Sequence, residues 1–253
     1  MASKRVQYDE SSIQTLDALE HIRLRTGMYI GRIGDGSHPL DGVYIMLKEA
    51  IDNAVDEFIM GHGRKVEITR DGDTLSVRDW GRGIPLGKLV ECVSEINTGG
   101  KYNDDVFQFS VGLNGVGTKA VNALSEDFQV VSWREGKYRR ATFQRGKIKS
   151  DKKGKEKQDN GTLVTFTPDP EIFGALTWNE EFIADRLMYY AYLNSGLTLR
   201  YNGKAFVSKH GVADLLHKEI GDEAPIYDML HVKQKRLEFA FTHTNTYGES
   251  YFS

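Results

Sequence analysis

The segment Lys48-Glu-Ala-Ile-Asp-Asn-Ala-Val-Asp-Glu57 lies inside an apolar run from Val43 to Met60, and its spacing predicts a helix with two unlike faces. At about 100° per residue, Leu47, Ile51, Ala54, Val55 and Phe58 fall on one side, while Glu49, Asp52, Asn53 and Asp56 fall on the other. A merely solvated acidic face fits poorly, because Asp52 and Asp56 are like charges at i, i+4 and only Lys48 balances them. The pattern predicts a missing cation. A hard metal ion takes oxygen ligands. Asn53, one turn beyond Glu49, offers a neutral carbonyl and leaves the Glu49 carboxylate to take a proton, the division of labour that metal-assisted attack by water needs.

Length and composition set outer limits. The 253 residues suit one large domain, or one domain and part of a second. A net charge of −3 does not advertise a nucleic-acid partner globally. Cys92 is the only cysteine, which excludes a disulfide framework or a cysteine-rich zinc site and implies a reducing compartment. No apolar segment approaches the roughly 20 residues that span a bilayer, and Met-Ala-Ser-Lys-Arg has no apolar stretch behind it to make a signal peptide. The expected location is the cytoplasm.

Along the chain, residues 1 to 12 lack periodicity, Ser12 or Thr15 caps a short helix ending at Gly27, and Gly31 to Gly42 is a loop. After the acidic helix, which stops at Gly61-His62-Gly63, Val66–Ile68 and Leu75–Val77 flank the turn Asp71-Gly72-Asp73 as a hairpin. Its second strand runs into Asp79-Trp-Gly-Arg-Gly-Ile-Pro85, where two glycines let backbone pass close to a ligand and Asp79 is placed to accept from an amino group such as that of adenine. Leu86 to Ile96 reads as a helix, with Cys92 as plain packing. Residues 97 to 117 read as a flap over a phosphate chain: Lys101 carries a charge, and Gly112 to Gly117 expose backbone N–H groups where a helix begins.

Two familiar patterns compete for that stretch. Gly112 to Lys119 nearly spells a Walker A loop, but Gly-Thr-Lys stands where Gly-Lys-Thr is needed, so the lysine points elsewhere. Gly115-Val-Gly-Thr-Lys-Ala120 satisfies a loose dinucleotide fingerprint, with Val106 to Val111 as a preceding strand and Glu135 as a ribose contact. That reading leaves Glu49, Asn53 and Asp79 without a role.

Phe128–Trp133, Tyr138–Phe143 and Thr162–Thr167 are predicted strands of one antiparallel sheet. Arg145 to Gln158, with six lysines, reads as a solvated hairpin tip, favoured over a DNA contact because Asp151 and Glu156 dilute it. Thr177-Trp-Asn-Glu180 has the form of a capping box for a helix ending at Asn194, and Asn202-Gly203 turns a further hairpin. A short helix near Val212–Glu219 leads to a boundary at about 222, beyond which Leu237, Phe239 and Phe241 alternate on a new strand and Tyr251 opens another.

Taken together, six blocks resemble the ATPase (B) subunits of bacterial type II DNA topoisomerases, gyrase B and topoisomerase IV B, in the GHKL superfamily. They are Arg25–Gly31, Glu49–Glu57, Asp79–Pro85, Gly99–Tyr102, Gly112–Gly117 and Val121–Ser125, in the family's order and approximate spacing. The resemblance implies a two-layer α/β sandwich, with helices on one face of a mixed, mainly antiparallel sheet. It implies a dimerisation arm over 1–15, an ATP-binding domain over 16–221 and a cut-short second α/β domain over 222–253.

By the same resemblance Glu49 is the general base, Asn53 the Mg²⁺ ligand, Asp79 the adenine-binding aspartate and Thr162 its neighbour across a shared water. Arg82, Gly83, Ile84 and Pro85 line the nucleotide, as do Lys101, Tyr102, Gly112, Leu113, Asn114, Gly115, Val116 and Gly117. Arg82, Pro85 and Arg140 match the rim where aminocoumarin-type inhibitors compete with ATP, and Tyr8 and Ile13 match an arm that reaches across a dimer to the other copy's nucleotide. Implied partners are DNA, a topoisomerase A-type subunit and a second copy of the chain. Thr26, Trp80 and Asn114 depart from the usual pattern, and Asn114 with the Gly-Thr-Lys-Ala-Val run favours topoisomerase IV B over gyrase B. Such a piece is expected to bind ATP, turn it over slowly and stay monomeric. A chaperone or mismatch-repair ATPase, and a dinucleotide oxidoreductase, are the alternatives.

Overall fold

The computed structural model describes residues 16–98, 115–234 and 237–251. Ten strands and eight α-helices occur among them. Eight strands form one sheet in the order β5-β4-β3-β6-β2-β1-β7-β8, comprising β1 (Lys65–Asp71), β2 (Thr74–Asp79), β3 (Ser125–Arg134), β4 (Lys137–Gln144), β5 (Lys147–Lys155), β6 (Gly161–Pro168), β7 (Thr198–Tyr201) and β8 (Lys204–Phe206). Among these strands only β1 and β7 pair in parallel, Lys65 opposite Thr198. All other pairs are antiparallel.

Period-two alternation decides which face is covered. Val66, Ile68, Leu75, Val77, Phe128, Val130, Ala141, Phe143 and Phe166 share one face and are buried. The other face carries hydroxyl pairs, Thr74 with Thr167, Ser76 with Thr165 and Thr142 with Ser150. Helices pack on the apolar face: α3 (Gly42–Ile59) over β1, β2 and β6, and α5 (Gly117–Ala123) over β3, β4 and β6. The result is the expected two-layer sandwich on a mixed, mainly antiparallel sheet.

Local expectations fare unevenly. The first helix, α1 (Ala18–Leu24), is capped by Asp17, which accepts from Glu20 N, and it stops at Arg25 instead of Gly27. A second short helix, α2 (Thr26–Ile30), takes up the apolar run that follows. Leu86–Ile96 is split into a 3₁₀ turn at Leu86–Lys88 and α4 (Leu89–Ser94), whose Leu89 and Val93 are buried. The lysine-rich segment is not a hairpin tip but most of the edge strand β5, because lysines on an outermost strand keep their charge in water while the backbone still pairs with β4.

The capping box is also corrected. Short α6 (Pro170–Phe173) precedes it, and α7 (Glu180–Leu193) is capped by Asn179, whose side chain accepts from Glu181 N and Phe182 N; Thr177 is spent on a backbone bond to Asp35 O. After α8 (Val212–Ile220), β9 (Leu230–Gln234) and β10 (Leu237–Phe241) make a separate two-stranded sheet, and Tyr251 belongs to no strand.

Candidate active site

Helix α3 resolves the puzzle of its acidic face by dividing the acids. Asp52 is 1% exposed and holds Lys48 Nζ at 2.5 Å and the phenol of Tyr190 on α7. Burial beside this carboxylate drives the Tyr190 hydroxyl strongly towards its protonated form. Asp56 is fully buried. Asp56 is not among the residues lining the adjoining cavity, whereas Lys48, Glu49, Asp52, Asn53 and Glu57 are.

That cavity measures about 930 Å³, enough for a nucleotide-sized ligand. Its floor is apolar, from Met46 and Ala50 on α3, Val77 on β2, Ile84 and Val164, and polar groups converge at two ends. At one end Asp79 closes β2. The carboxylate is 7% exposed and accepts from Gly81 N (2.8 Å) and Thr162 N (3.2 Å), both on Oδ1. Burial lifts its pKa to about 6, which the two amide bonds only partly offset. A buried acceptor of this kind recognises a donor and rejects a ligand lacking one.

The loop after Asp79 is held from both sides. Glu57 accepts from Arg82 N (2.7 Å), Nε (3.1 Å) and Nη2 (2.9 Å), a forked pairing that clamps the guanidinium. From β3, Ser132 Oγ donates to Ile84 O (2.7 Å) and Arg134 Nη1 to Gly83 O (2.9 Å). Gly83 has φ +75°, and a Cβ there would sit 2.7 Å from Trp133 O.

At the other end Glu49 meets the start of α5. Asn53 Nδ2 donates to Glu49 O (2.7 Å) and Thr118 Oγ1 (2.9 Å), which ties α3 to α5 and orients the amide. Lys119, 3% exposed, lies in the cavity wall and donates to Thr98 O (2.7 Å) and Gly115 O. Among the described residues no three His, Cys, Asp or Glu side chains gather into a metal-binding group. An ion here would therefore draw on a ligand's oxygens as well as on Asn53, which fits Mg²⁺ accompanying phosphates.

Of the residues singled out from the sequence, Glu49, Asn53, Asp79, Arg82, Gly83, Ile84, Pro85, Gly115, Val116, Gly117 and Thr162 all line this one cavity. Tyr8, Ile13, Lys101, Tyr102, Gly112, Leu113 and Asn114 lie outside the described residues, as does the strand read over 106–111. Arg140 is misplaced. It pairs with Val131, on the face opposite Ser132, whereas Arg134 lines the cavity. Directly opposed residues share a face, so the β3–β4 register sends Arg139 towards Leu86 O (2.7 Å) and Arg140 away.

Glu57, Thr118 and Arg134 were missed by sequence reasoning, although Glu57 closes the acidic motif itself. Cys92 lines the cavity instead of serving only as packing. Glu135, the ribose contact of the dinucleotide reading, is exposed at the β3–β4 turn with φ 52° and is not among the lining residues.

A family described as histidine kinase-, DNA gyrase B- and HSP90-like ATPase matches residues 39–172. The B subunit of DNA topoisomerase 4 from Borreliella burgdorferi is 56% identical over 250 residues, covering 99% of this chain and 42% of that protein. The B subunit of DNA gyrase from Thermus thermophilus is 36% identical, covering 96% of this chain and 41% of the relative. The crystal structure of the 43K ATPase domain of Thermus thermophilus gyrase B in complex with an aminocoumarin superposes with a TM-score of 0.74 at 32% identity, covering 92% of this chain and 64% of that one. The chain thus spans about two fifths of the length of these curated relatives.

Proposed function

Because the chain belongs to the histidine kinase-, DNA gyrase B- and HSP90-like ATPases, we propose that its cavity binds ATP with Mg²⁺ and that Glu49 serves as general base for hydrolysis. The observation that carries this reading is the convergence of Glu49, Asn53 and Asp79 on one cavity from α3 and β2. Asp79 accepts the exocyclic amino group of adenine, with Thr162 beside it. Arg82, Gly83, Ile84 and Pro85 wall the base, and Gly115, Val116 and Gly117 offer backbone to the phosphates. Lys101, Tyr102, Gly112, Leu113 and Asn114 are further phosphate contacts on this reading.

Glu49 takes a proton from water as the water oxygen bonds to the γ-phosphorus and the bridging oxygen leaves with ADP. Mg²⁺, held by Asn53 and the phosphates, supplies charge neutralisation when bound. Asn53 itself is oriented by the Glu49 carbonyl and Thr118.

The whole protein is proposed to be the ATPase component of a bacterial type II DNA topoisomerase, of topoisomerase IV kind before gyrase. The 56% identity to the Borreliella relative against 36% to the Thermus gyrase relative supports that preference. ATP must then favour a closed dimer over an open one, since a ligand shifts an equilibrium only by its differential affinity. DNA, a topoisomerase A-type subunit and a second copy, reached through Tyr8 and Ile13, are the partners of that cycle. The ATP-binding domain is drawn over 16–221, with the separate β9–β10 sheet as support for a boundary near 222. Aminocoumarin-type inhibitors are proposed to bind at Arg82 and Pro85, with Arg134 in place of Arg140. A chaperone-like or mismatch-repair ATPase keeps the site and changes the job.

Calorimetry of the chain with ATP and Mg²⁺ tests the site. Absence of adenine-nucleotide binding, or tighter binding of a nicotinamide dinucleotide, would overturn the assignment. Decatenation and supercoiling assays of the whole protein with its A-type partner decide between the two topoisomerase kinds.

A further inference from the structure

Lys137 to Lys157 contains ten lysines and arginines and two acids, a net charge of +8 in a chain whose total is −3. This span is the β4–β5 hairpin and its exit. β5 is the outermost strand of the large sheet, and every residue of Lys147–Lys155 except Ser150 is exposed.

Both acids are already engaged. Asp151 holds Arg139 through two bonds of 2.9 and 2.8 Å, and Glu156 accepts from Trp133 Nε1 at 2.8 Å. Trp133 in turn stacks on Arg78, whose guanidinium lies 4.5 Å from its ring centroid. Among the described residues, Lys149, Lys152, Lys153, Lys155 and Lys157 have no carboxylate within 4 Å. The sheet therefore ends in a row of ammonium groups that form no close ion pair among the described residues.

We propose that this edge is a sequence-independent contact for the phosphate backbone of duplex DNA. At about 3.3 Å per residue, a nine-residue strand runs roughly 30 Å, alongside about nine base pairs. Flexible lysines deliver point charges, which suits phosphates at varying phase better than base edges. An exposed aromatic platform, which single strands require, is lacking on β5. The only large apolar side chain exposed there is Ile148, too little to enter a bilayer. The choice of duplex DNA rests on the proposed topoisomerase function, whereas the presence of a polyanion site does not.

The test is fluorescence anisotropy of a labelled ~20-bp duplex with the full chain, titrated over salt, for the unaltered protein and for K152Q/K153Q/K155Q. Binding by the unaltered chain is expected to weaken with salt. The triple substitution should reduce the slope of log K against log salt by about 2.7 and weaken binding at least tenfold near 0.1 M salt. ATP affinity, measured on the same samples, should be unchanged, and this verifies folding and keeps failure of the nucleotide site distinct. The proposal is overturned if the duplex does not bind, if slope and affinity survive the substitution, or if anionic vesicles bind in preference. It is equally overturned if the variant merely self-associates, the outcome for lysines that only protect a sheet edge.

Discussion

The Glu49 carboxylate lies against the backbone of Gly117, so closely that a Cβ built on that glycine would fall 1.7 Å from Oε2. The proposed base and the first residue of α5 are thus one packing unit. Gly117→Ala should push Glu49 off its position, and a displacement of about 1 Å at a catalytic group is enough to cost on the order of 100-fold in rate. Steady-state ATPase assays of the whole protein should show that loss in kcat. Unchanged turnover would separate Glu49 from the chemistry.

Glu49→Ala removes the base without touching the Asp79 end of the cavity. ATP affinity by calorimetry should stay within about threefold, and turnover should fall by 10² or more. Survival of turnover in the whole protein would refute the assignment.

Asp79 has a folded-state pKa of about 6 against an ordinary value of 3.8. A raised carboxyl pKa means that the folded chain holds the proton more tightly than the unfolded chain. The associated stability is complete below about pH 3.8 and is lost as pH rises through about 6, a difference of roughly 3 kcal/mol. Asp79→Asn removes this dependence. Its ligand-free Tm at pH 8 is expected at or above that of the unaltered chain, while ATP binding is lost. Thermal denaturation between pH 4 and 8 checks the slope, and a lower Tm for the variant at pH 8 would contradict the argument.

Glu57→Gln breaks the fork that clamps Arg82 and leaves one acceptor oxygen where there were two. ATP affinity should drop about five- to tenfold, because the loop walling the base loses a charge-assisted anchor. Calorimetry alongside Arg82→Ala forms a cycle, and additive losses would show that the pair does not act together.

Arg134→Ala should weaken aminocoumarin-type inhibitors by roughly tenfold, and Arg140→Ala should leave them within about twofold. Inhibition assays on both variants distinguish the two arginines. Equal losses would undermine the β3–β4 register as the deciding factor.

How far the sequence reveals this site depends on how locally each part is determined. Glu49 and Asn53 are legible because one helix supplies both, and 3.6-residue periodicity turns spacing into geometry. Asp79 is legible because it stands where a strand gives way to a glycine-rich loop. Arg134 is not, because strand alternation says nothing about which of two arginine-bearing strands faces inward until the register between them is known. The Asp52–Tyr190 bond spans 138 residues, and no local pattern announces it. The cap of α7 falls at Asn179 and not Thr177 because the helix begins at Glu180, which puts Asn179 at the position whose side chain reaches the free N–H groups of Glu181 and Phe182. β5 is hidden because its charge masks the backbone pairing in a segment with little hydrophobic alternation.

The parallel pairing of Lys65 beside Thr198 sets an order on events during synthesis. β1 and β2 can close their hairpin as soon as both have emerged, but the outer edge of β1 has no partner until another hundred and more residues have been made. Through that interval Val66 and Ile68 sit on an open strand able to pair with a neighbouring nascent chain. Any shorter piece that stops before Thr198 would keep that edge open permanently. The late arrival of β7 and β8 is what turns a sticky intermediate into a finished sheet.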